Sequence, residues 1–256
     1  MSMKRITFLG LPLDVGASVE GVCQLLQKKG KPRLVTFINP AAWALAEKRP
    51  EYVPTLEQMS LNLPDGEGVA LACRLLTKED CQRVSFDMTS LADPFLRAVI
   101  ERKASLMLVG GDPGVDESMH EKLHVHYPEL KIVGTFHGYG DFGPKVEGVI
   151  AKSPDAVIVA MGAPRQEAFL LALRDAGYKG MAITCGGFFD QYLLADPYYP
   201  RWVDEWNIRF LYRLYKEPGR LWRRYLIEYQ VFIKKLVCAI VEKVKGVYLK
   251  RVSKAS

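Results

Sequence analysis

A chain of 256 residues with 49% hydrophobic and 25% charged residues is long enough to bury a substantial core and too apolar to remain disordered. It has no run of about eighteen apolar residues, and its first residues lack the full pattern of a signal peptide, so the expectation is a chain neither exported nor threaded through a bilayer. The net charge of +6 is held unevenly: residues 201–256 carry 14 Lys and Arg against 5 Asp and Glu, a basic end that expects phosphate, nucleic acid or a membrane surface.

In chain order, strands are expected where short apolar runs stop at Gly or Pro: residues 6–11, 33–39, 105–111, 130–136, 155–162 and 180–187. Between most of them lie helical patterns, among them VEGVCQLLQKK, AAWALAEKRPEY, DESMHEKLHVHY and RQEAFLLALRDAG, with apolar residues recurring at three and four positions. This alternation predicts an α/β fold, a mostly parallel sheet with right-handed crossovers and helices on both faces. Ligands in such sheets bind beyond the carboxyl ends of the strands. Five segments fall there: Asn39–Pro40, Gly110–Gly114, His137–Gly140, Gly162–Glu167 and Gly186–Asp190, and one pocket could collect all five.

The alternation ends near residue 195, which sets a boundary between a body over 1–195 and a helical, amphipathic, basic appendage over 196–256. Pro218 and Gly219 should interrupt one helix there and start another. The five cysteines are scattered without CxxC spacing, which indicates neither a disulfide framework nor a zinc site.

The local motifs leave alternatives open. Asp65 in LPDGEGV precedes a helical run, as a turn or N-cap residue would, and it is also placed as a catalytic carboxylate would be. GGDPGV follows an apolar strand and precedes a helix, so its N–H groups could cradle a phosphate, although it matches neither GxGxxG nor a P-loop. Pro164, Arg165, Gln166 and Glu167 occupy a first helical turn, facing ligand or merely exposed. His120 and His124 have the i, i+4 spacing of a metal pair but no third ligand in view, so no metal is expected, and His137 is placed to line a pocket. Arg213, Arg220, Arg223 and Arg224 could cluster on phosphate oxygens through their planar donor forks.

Taken in order, INPAAWALA, LPDGEGVALA, RVSFD, LVGG with YPELKIVGTFHGY, IVAMGAPRQE, CGGFFD and FLYRLYKEPGRLWRR resemble the WecG/TagA/CpsF family, glycosyltransferase family 26, over nearly the whole chain. The resemblance implies a Rossmann-like body, an appendage that docks on the cytoplasmic face of the membrane, and an inverting transfer that needs neither metal nor cofactor. A hexose would move from a UDP-sugar donor to a polyprenyl-diphosphate-linked saccharide acceptor. Asp65 then resembles the general base, Arg83 and the tail arginines supply charge to the departing UDP, and Asn39 and Gln166 orient sugar hydroxyls. Tyr139 and Asp190 resemble contacts to the base, with Gly110, Gly111, Gly162, Pro164 and Gly187 around the nucleotide-sugar. Arg213, Arg220, Arg223 and Arg224 would grip the acceptor diphosphate.

The chain departs from the family pattern in RVSFD, in ADPYYPRW and at Arg209–Phe210, beside the expected sugar-recognition and tail-docking surfaces. The expected sugar is therefore glucose, or N-acetylmannosamine or its uronic acid. The anionic membrane surface is an expected partner, nucleic acid is not, and a homo-oligomer is left open. The competing reading is a nonenzymatic nucleotide or nucleic-acid binding module that uses the same basic tail.

Overall fold

The computed structural model describes residues 3–27, 30–194, 212, 215 and 218–255. The single strand expected over residues 6–11 is instead a hairpin of β1 (Lys4–Phe8) and β2 (Leu11–Val15), which form a separate antiparallel pair. Leu9 and Gly10 both have positive φ, 48° and 88°, the left-handed pair that lets a two-residue turn follow the twist of its strands. Buried Asp14 fastens this hairpin to the body: it pairs with Arg5 at 2.7 Å and accepts the Asn62 backbone N–H at 2.6 Å. One backbone donor of an edge strand is thereby satisfied by a side chain.

The main sheet has six parallel strands, β3 (Arg33–Ile38), β4 (Leu61–Pro64), β5 (Ser105–Gly110), β6 (Lys131–Phe136), β7 (Ala156–Ala160) and β8 (Met181–Thr184), in the order β4-β3-β8-β7-β5-β6. Side chains alternate between its two faces, as a period of two requires. Leu106, Leu108, Ile158 and Ile183 enter one core, while Met107, Val109, Val157, Val159 and Ala182 enter the other.

Helices cover both faces. The first core is completed by α1 (Val19–Gln24) and by α5 (Ala92–Glu101), α6 (Val115–His126) and α9 (Phe188–Leu194). The second is completed by α7 (Gly143–Lys152) and α8 (Arg165–Asp175). The expected helix over AAWALAEKRPEY divides at Pro50 into α2 (Ala41–Lys48) and α3 (Tyr52–Glu57), because proline cannot continue the hydrogen-bond ladder. A further helix, α4 (Glu67–Thr77), follows β4.

The appendage begins with α10 (Pro218–Arg223), passes through a π-helical turn at Arg224–Glu228, and continues as α11 (Tyr229–Ala255). Proline suits the first turn of a helix, where its missing N–H removes no internal bond. Residues of α11 lie on α2 and α4: Phe232 is buried against Trp43, Lys235 pairs with Glu47 at 3.1 Å, and Lys243 donates to the carbonyls of Leu75 (2.7 Å) and Leu76 (2.9 Å). The last contact sets a cation at the negative end of α4. The expected boundary at 195/196 lies outside the described residues. No helix among the described residues is long and apolar enough to cross a membrane.

Candidate active site at the carboxyl ends of the sheet

Parallel strands bring all six carboxyl ends to one edge, in the spatial order Asp65, Asn39, Gly186–Gly187, Gly162, Gly110–Gly111 and His137. Outside the middle of that edge lies a cavity of about 310 Å³, walled by Phe37, Asn39, Gly162, Gln166, Gly186 and Gly187 from the strand ends. Lys48 and Tyr52 add a second side, and Glu228 closes it from the appendage. The volume is at the lower end of the range for small-molecule sites. Three of the five expected segments meet here. Gly110–Gly114 and His137–Gly140 do not contribute to its walls, because β5 and β6 lie beyond β7 at the far end of the sheet.

Asp65 stands one residue past Pro64, which pairs with Ile38, and its own N–H is donated to the Ile38 carbonyl at 2.9 Å. This fixes it beside Asn39. Its carboxylate does not cap α4: Gly66 is the N-cap and no side chain bonds there, so the helix-capping alternative is set aside. Instead Asp65 accepts a hydrogen bond from the Ser85 hydroxyl. Ser85 belongs to RVSFD, an irregular segment whose Val84 N–H bonds the Pro64 carbonyl at 3.0 Å. Two residues before Ser85, Arg83 forms an ion pair with Asp87, so that guanidinium is already partly neutralised.

Asn39 uses its side-chain oxygen locally, accepting from the Ala41 N–H at 3.0 Å and turning the chain into α2. Gln166, 5% exposed, donates its amide to Glu167 at 3.0 Å. Glu167 is fully buried and also accepts from the Thr36 hydroxyl at 2.7 Å. Burial pushes its carboxyl above the ordinary value, with the bonds from Gln166 and Thr36 opposing that rise. Sequence reasoning gave Glu167 no role beyond its place in a first turn and missed Thr36. The available signal was a hydroxyl in the middle of the apolar run RLVTFI.

The Gly-rich turn after β5 is built for close approach of backbone. A Cβ at Gly110 would overlap the Ala160 carbonyl, and one at Gly111 would overlap Val115. The Gly111 N–H is donated to the Ala160 carbonyl at 2.9 Å, and Asp112, Asp116 and Glu117 surround the start of α6. Such a turn offers a phosphate less than its glycines alone promise, since carboxylates already occupy the positive end of the helix. Pro164 is the N-cap of α8, and Asp190 lies in the first turn of α9.

Tyr139 is held by its backbone. Lys145 donates to its carbonyl at 2.6 Å, and Arg165 donates to the carbonyls of Gly138 (3.1 Å) and Gly140 while lying 4.6 Å from the Phe142 ring. His137, expected to line a pocket, is not part of the wall of this cavity and accepts the Tyr139 N–H at 3.3 Å through Nδ1. Tyr139 is 61% exposed. The hydrogen bond and charge of Asp112 raise its hydroxyl above the ordinary phenol value, Asp190 adds to this, and Arg165 opposes it. Tyr139, Asp112, Asp190 and Arg165 therefore share one electrostatic neighbourhood.

Of the tail arginines, Arg220, Arg223 and Arg224 lie on α10 and the π-helical turn just before Glu228, and Arg213 lies outside the described residues. The Arg223 guanidinium is exposed, 5.9 Å from the Trp222 ring. Among the described residues there is no group of three or more His, Cys, Asp or Glu side chains arranged to hold a metal ion.

The model of the Glycosyl transferase WecG/TagA/CpsF family matches residues 6–246. An N-acetylglucosaminyldiphosphoundecaprenol N-acetyl-beta-D-mannosaminyltransferase of Bacillus subtilis (strain 168) is 31% identical over 195 residues, which is 75% of each chain. A UDP-Gal:alpha-D-GlcNAc-diphosphoundecaprenol beta-1,4-galactosyltransferase of Shigella boydii is 29% identical over 221 residues, 84% of this chain and 90% of its own. A mannosaminyltransferase of the first kind from Staphylococcus aureus (strain MRSA252) is 25% identical over 192 residues, 73% of this chain and 74% of its own.

Proposed function

Because the chain belongs to the WecG/TagA/CpsF glycosyl transferase family, we propose that it moves a hexose from a UDP-sugar to a polyprenyl-diphosphate-linked saccharide in bacterial surface polysaccharide assembly. The observation that carries this is Asp65, a part-buried carboxylate at a strand end, held by Ser85, free of any capping role and adjacent to the cavity wall at Asn39. In this reading Asp65 takes the proton of the acceptor hydroxyl as that oxygen attacks the anomeric carbon. Attack opposite the departing UDP inverts the configuration.

The developing charge on UDP calls for fixed cations or N–H dipoles, and the reaction needs no metal ion. Arg83 is shared with Asp87, so the weight falls on Arg213, Arg220, Arg223 and Arg224, which would also bind the acceptor diphosphate. Asn39 and Gln166 would meet the sugar, with Gly162 and Gly187 letting it approach the backbone. The exposed Tyr139 ring would stack on uracil while Asp190 accepts the ring N–H. Gly110, Gly111 and Pro164 would shape the nucleotide end indirectly, through the turns they hold.

The appendage supports docking on the inner face of the cytoplasmic membrane. Exposed Ile233, Val237, Ile240 and Val244 recur along α11 at spacings of three and four, with exposed Lys234 and Lys245 nearby. Removal of residues 200–256 should abolish sedimentation with anionic liposomes, and undiminished sedimentation of the shortened chain would refute the anchor.

Two of the similar proteins name different sugars, N-acetylmannosamine and galactose. The decisive assay is therefore UDP release from a donor panel holding both, with glucose, in the presence and absence of a short-chain prenyl-diphosphate GlcNAc acceptor and of EDTA. Acceptor-dependent release that survives EDTA and disappears in Asp65→Asn, with UDP binding retained, is the expected result. Undiminished turnover of Asp65→Asn would remove the proposed base.

A further inference from the structure

A chain of buried polar groups joins the middle of the sheet to the cavity. Thr184 and Thr36, on the adjacent strands β8 and β3, have hydroxyl oxygens 3.0 Å apart. The Thr36 hydroxyl donates to Glu167 Oε1 at 2.7 Å, so the hydrogen between the two threonines comes from Thr184. Glu167 Oε1 also accepts from Gln166 Nε2 at 3.0 Å. With two donors on Oε1, a proton held by Glu167 resides on Oε2.

The same bond orders the Gln166 amide. Its nitrogen is turned to Glu167, while its oxygen is buried and has no protein partner. Gln166 is at the same time a wall of the cavity and is itself 5% exposed. An amide oxygen withdrawn from water without a partner carries a desolvation penalty that a ligand hydrogen would relieve.

We propose that Glu167 is a positioning residue: it holds the Gln166 amide in one orientation, so that the Gln166 carbonyl oxygen, buried and unpartnered behind the cavity wall, is left as the acceptor for a hydroxyl or amide hydrogen of a sugar that fills the cavity. The inference rests on the transferase reading for the identity of the ligand, and on geometry alone for the orientation. It also sets a specificity rule, because a carboxylate on the sugar would be repelled at this point whereas a hydroxyl or N-acetyl N–H is welcomed.

Orientation is tested without turnover. The chain has seven glutamines, so selective 15N-glutamine labelling gives few side-chain amide signals, and Gln166→Leu identifies the one required. In the wild type this amide should exchange slowly with solvent. Glu167→Gln, which imitates the protonated acid, should keep the protection; Glu167→Leu should lose it. Rapid exchange in the wild type, or unchanged protection in Glu167→Leu, overturns the proposal.

The kinetic arm follows the donor found by the UDP-release panel. Glu167→Leu should raise the KM for that donor about fivefold to tenfold, the equivalent of one neutral hydrogen bond, while Glu167→Gln stays near the wild type. In a Gln166→Leu background the Glu167→Leu change should add nothing to KM; a full additional loss would mark Glu167 as a structural staple only. A wild type with no turnover on any donor would count against the transferase reading and leave the amide exchange to decide the role of Glu167.

Discussion

The Phe232 ring lies 4.7 Å from that of Trp43, tilted by 43°, and this contact seats the appendage on α2, in the buried cluster that also holds Phe8 and Leu11 of the hairpin. Trp43 donates its indole N–H to the Leu9 carbonyl at 3.0 Å and meets Phe8 edge-on at 5.9 Å. The first and last parts of the chain are thus joined through one aromatic cluster. Phe232→Ala should weaken the docking of α11 by up to about 3–5 kcal/mol, the usual loss for a buried phenylalanine. Hydrogen exchange would show faster amides along α11 while those of β5 and β7 stay protected.

Ser85 holds Asp65 in place, so its loss should be felt in turnover and not in UDP affinity. Ser85→Ala is expected to lower kcat about tenfold, the equivalent of one charge-assisted hydrogen bond, and Asp65→Asn by about 100-fold or more, as for loss of a general base. Steady-state kinetics beside UDP calorimetry checks both, and a larger effect from Ser85→Ala than from Asp65→Asn would reverse their roles.

Glu167 sets a pH dependence of stability. Its carboxyl is raised above the ordinary value by burial, so the folded chain keeps a proton that the unfolded chain releases. The stabilisation is complete below the ordinary carboxylate value of 4.5 and is lost as pH climbs through the raised value. The slope is at most about 1.4 kcal/mol per pH unit. Thermal melts from pH 4 to 8 should therefore show a steeper decline for the wild type than for Glu167→Gln.

Two glycines separate close approach from cavity lining. Gly110→Ala puts a methyl group into the Ala160 carbonyl and should destabilise the chain by about 2–4 kcal/mol through overlap and strain. At Gly162 the added methyl meets nothing within 4 Å, but φ is +72°. Gly162→Ala should cost only about 1 kcal/mol of stability while raising the donor KM. Denaturant melts and kinetics together distinguish the two.

Arg165 braces the loop that carries Tyr139. Arg165→Met removes the bonds to Gly138 and Gly140 and should weaken UDP binding about tenfold, about 1.4 kcal/mol and less than the two bonds themselves because they brace the loop and do not touch UDP. Tyr139→Phe, which keeps the ring, should bind UDP nearly as the wild type does. Calorimetry on both variants provides the check.

Much of this architecture was legible from pattern. Five of the six strands of the main sheet are apolar runs ending near Gly or Asn, and Asn39, Gln166 and Gly187 lie at the strand-end edge where a parallel sheet binds ligands; Asp65, outside the five expected segments, reaches the same edge at the end of β4. The hairpin was not legible, because Leu9 adopts a left-handed conformation that its side chain does not advertise. Strand β4 was hidden by its four-residue length and by Asn62, whose burial is made tolerable by Asp14 and by its own bond to the Leu56 carbonyl at 2.9 Å. Thr36, Thr184 and Glu167 are far apart in sequence, and only the strand order brings them together. Glu228 reaches the cavity through tertiary packing of the appendage, which local periodicity does not encode.

That last residue has a thermodynamic consequence. Glu228 stands one turn before Phe232 on the same helical path, so the wall it gives the cavity is present only while the aromatic plug is seated. Whatever fills the cavity and touches that wall favours the seated form, and whatever seats the appendage favours filling of the cavity by the same factor. Affinity for whatever fills the cavity and affinity of the helix for its resting place are then one coupled quantity, readable from either end.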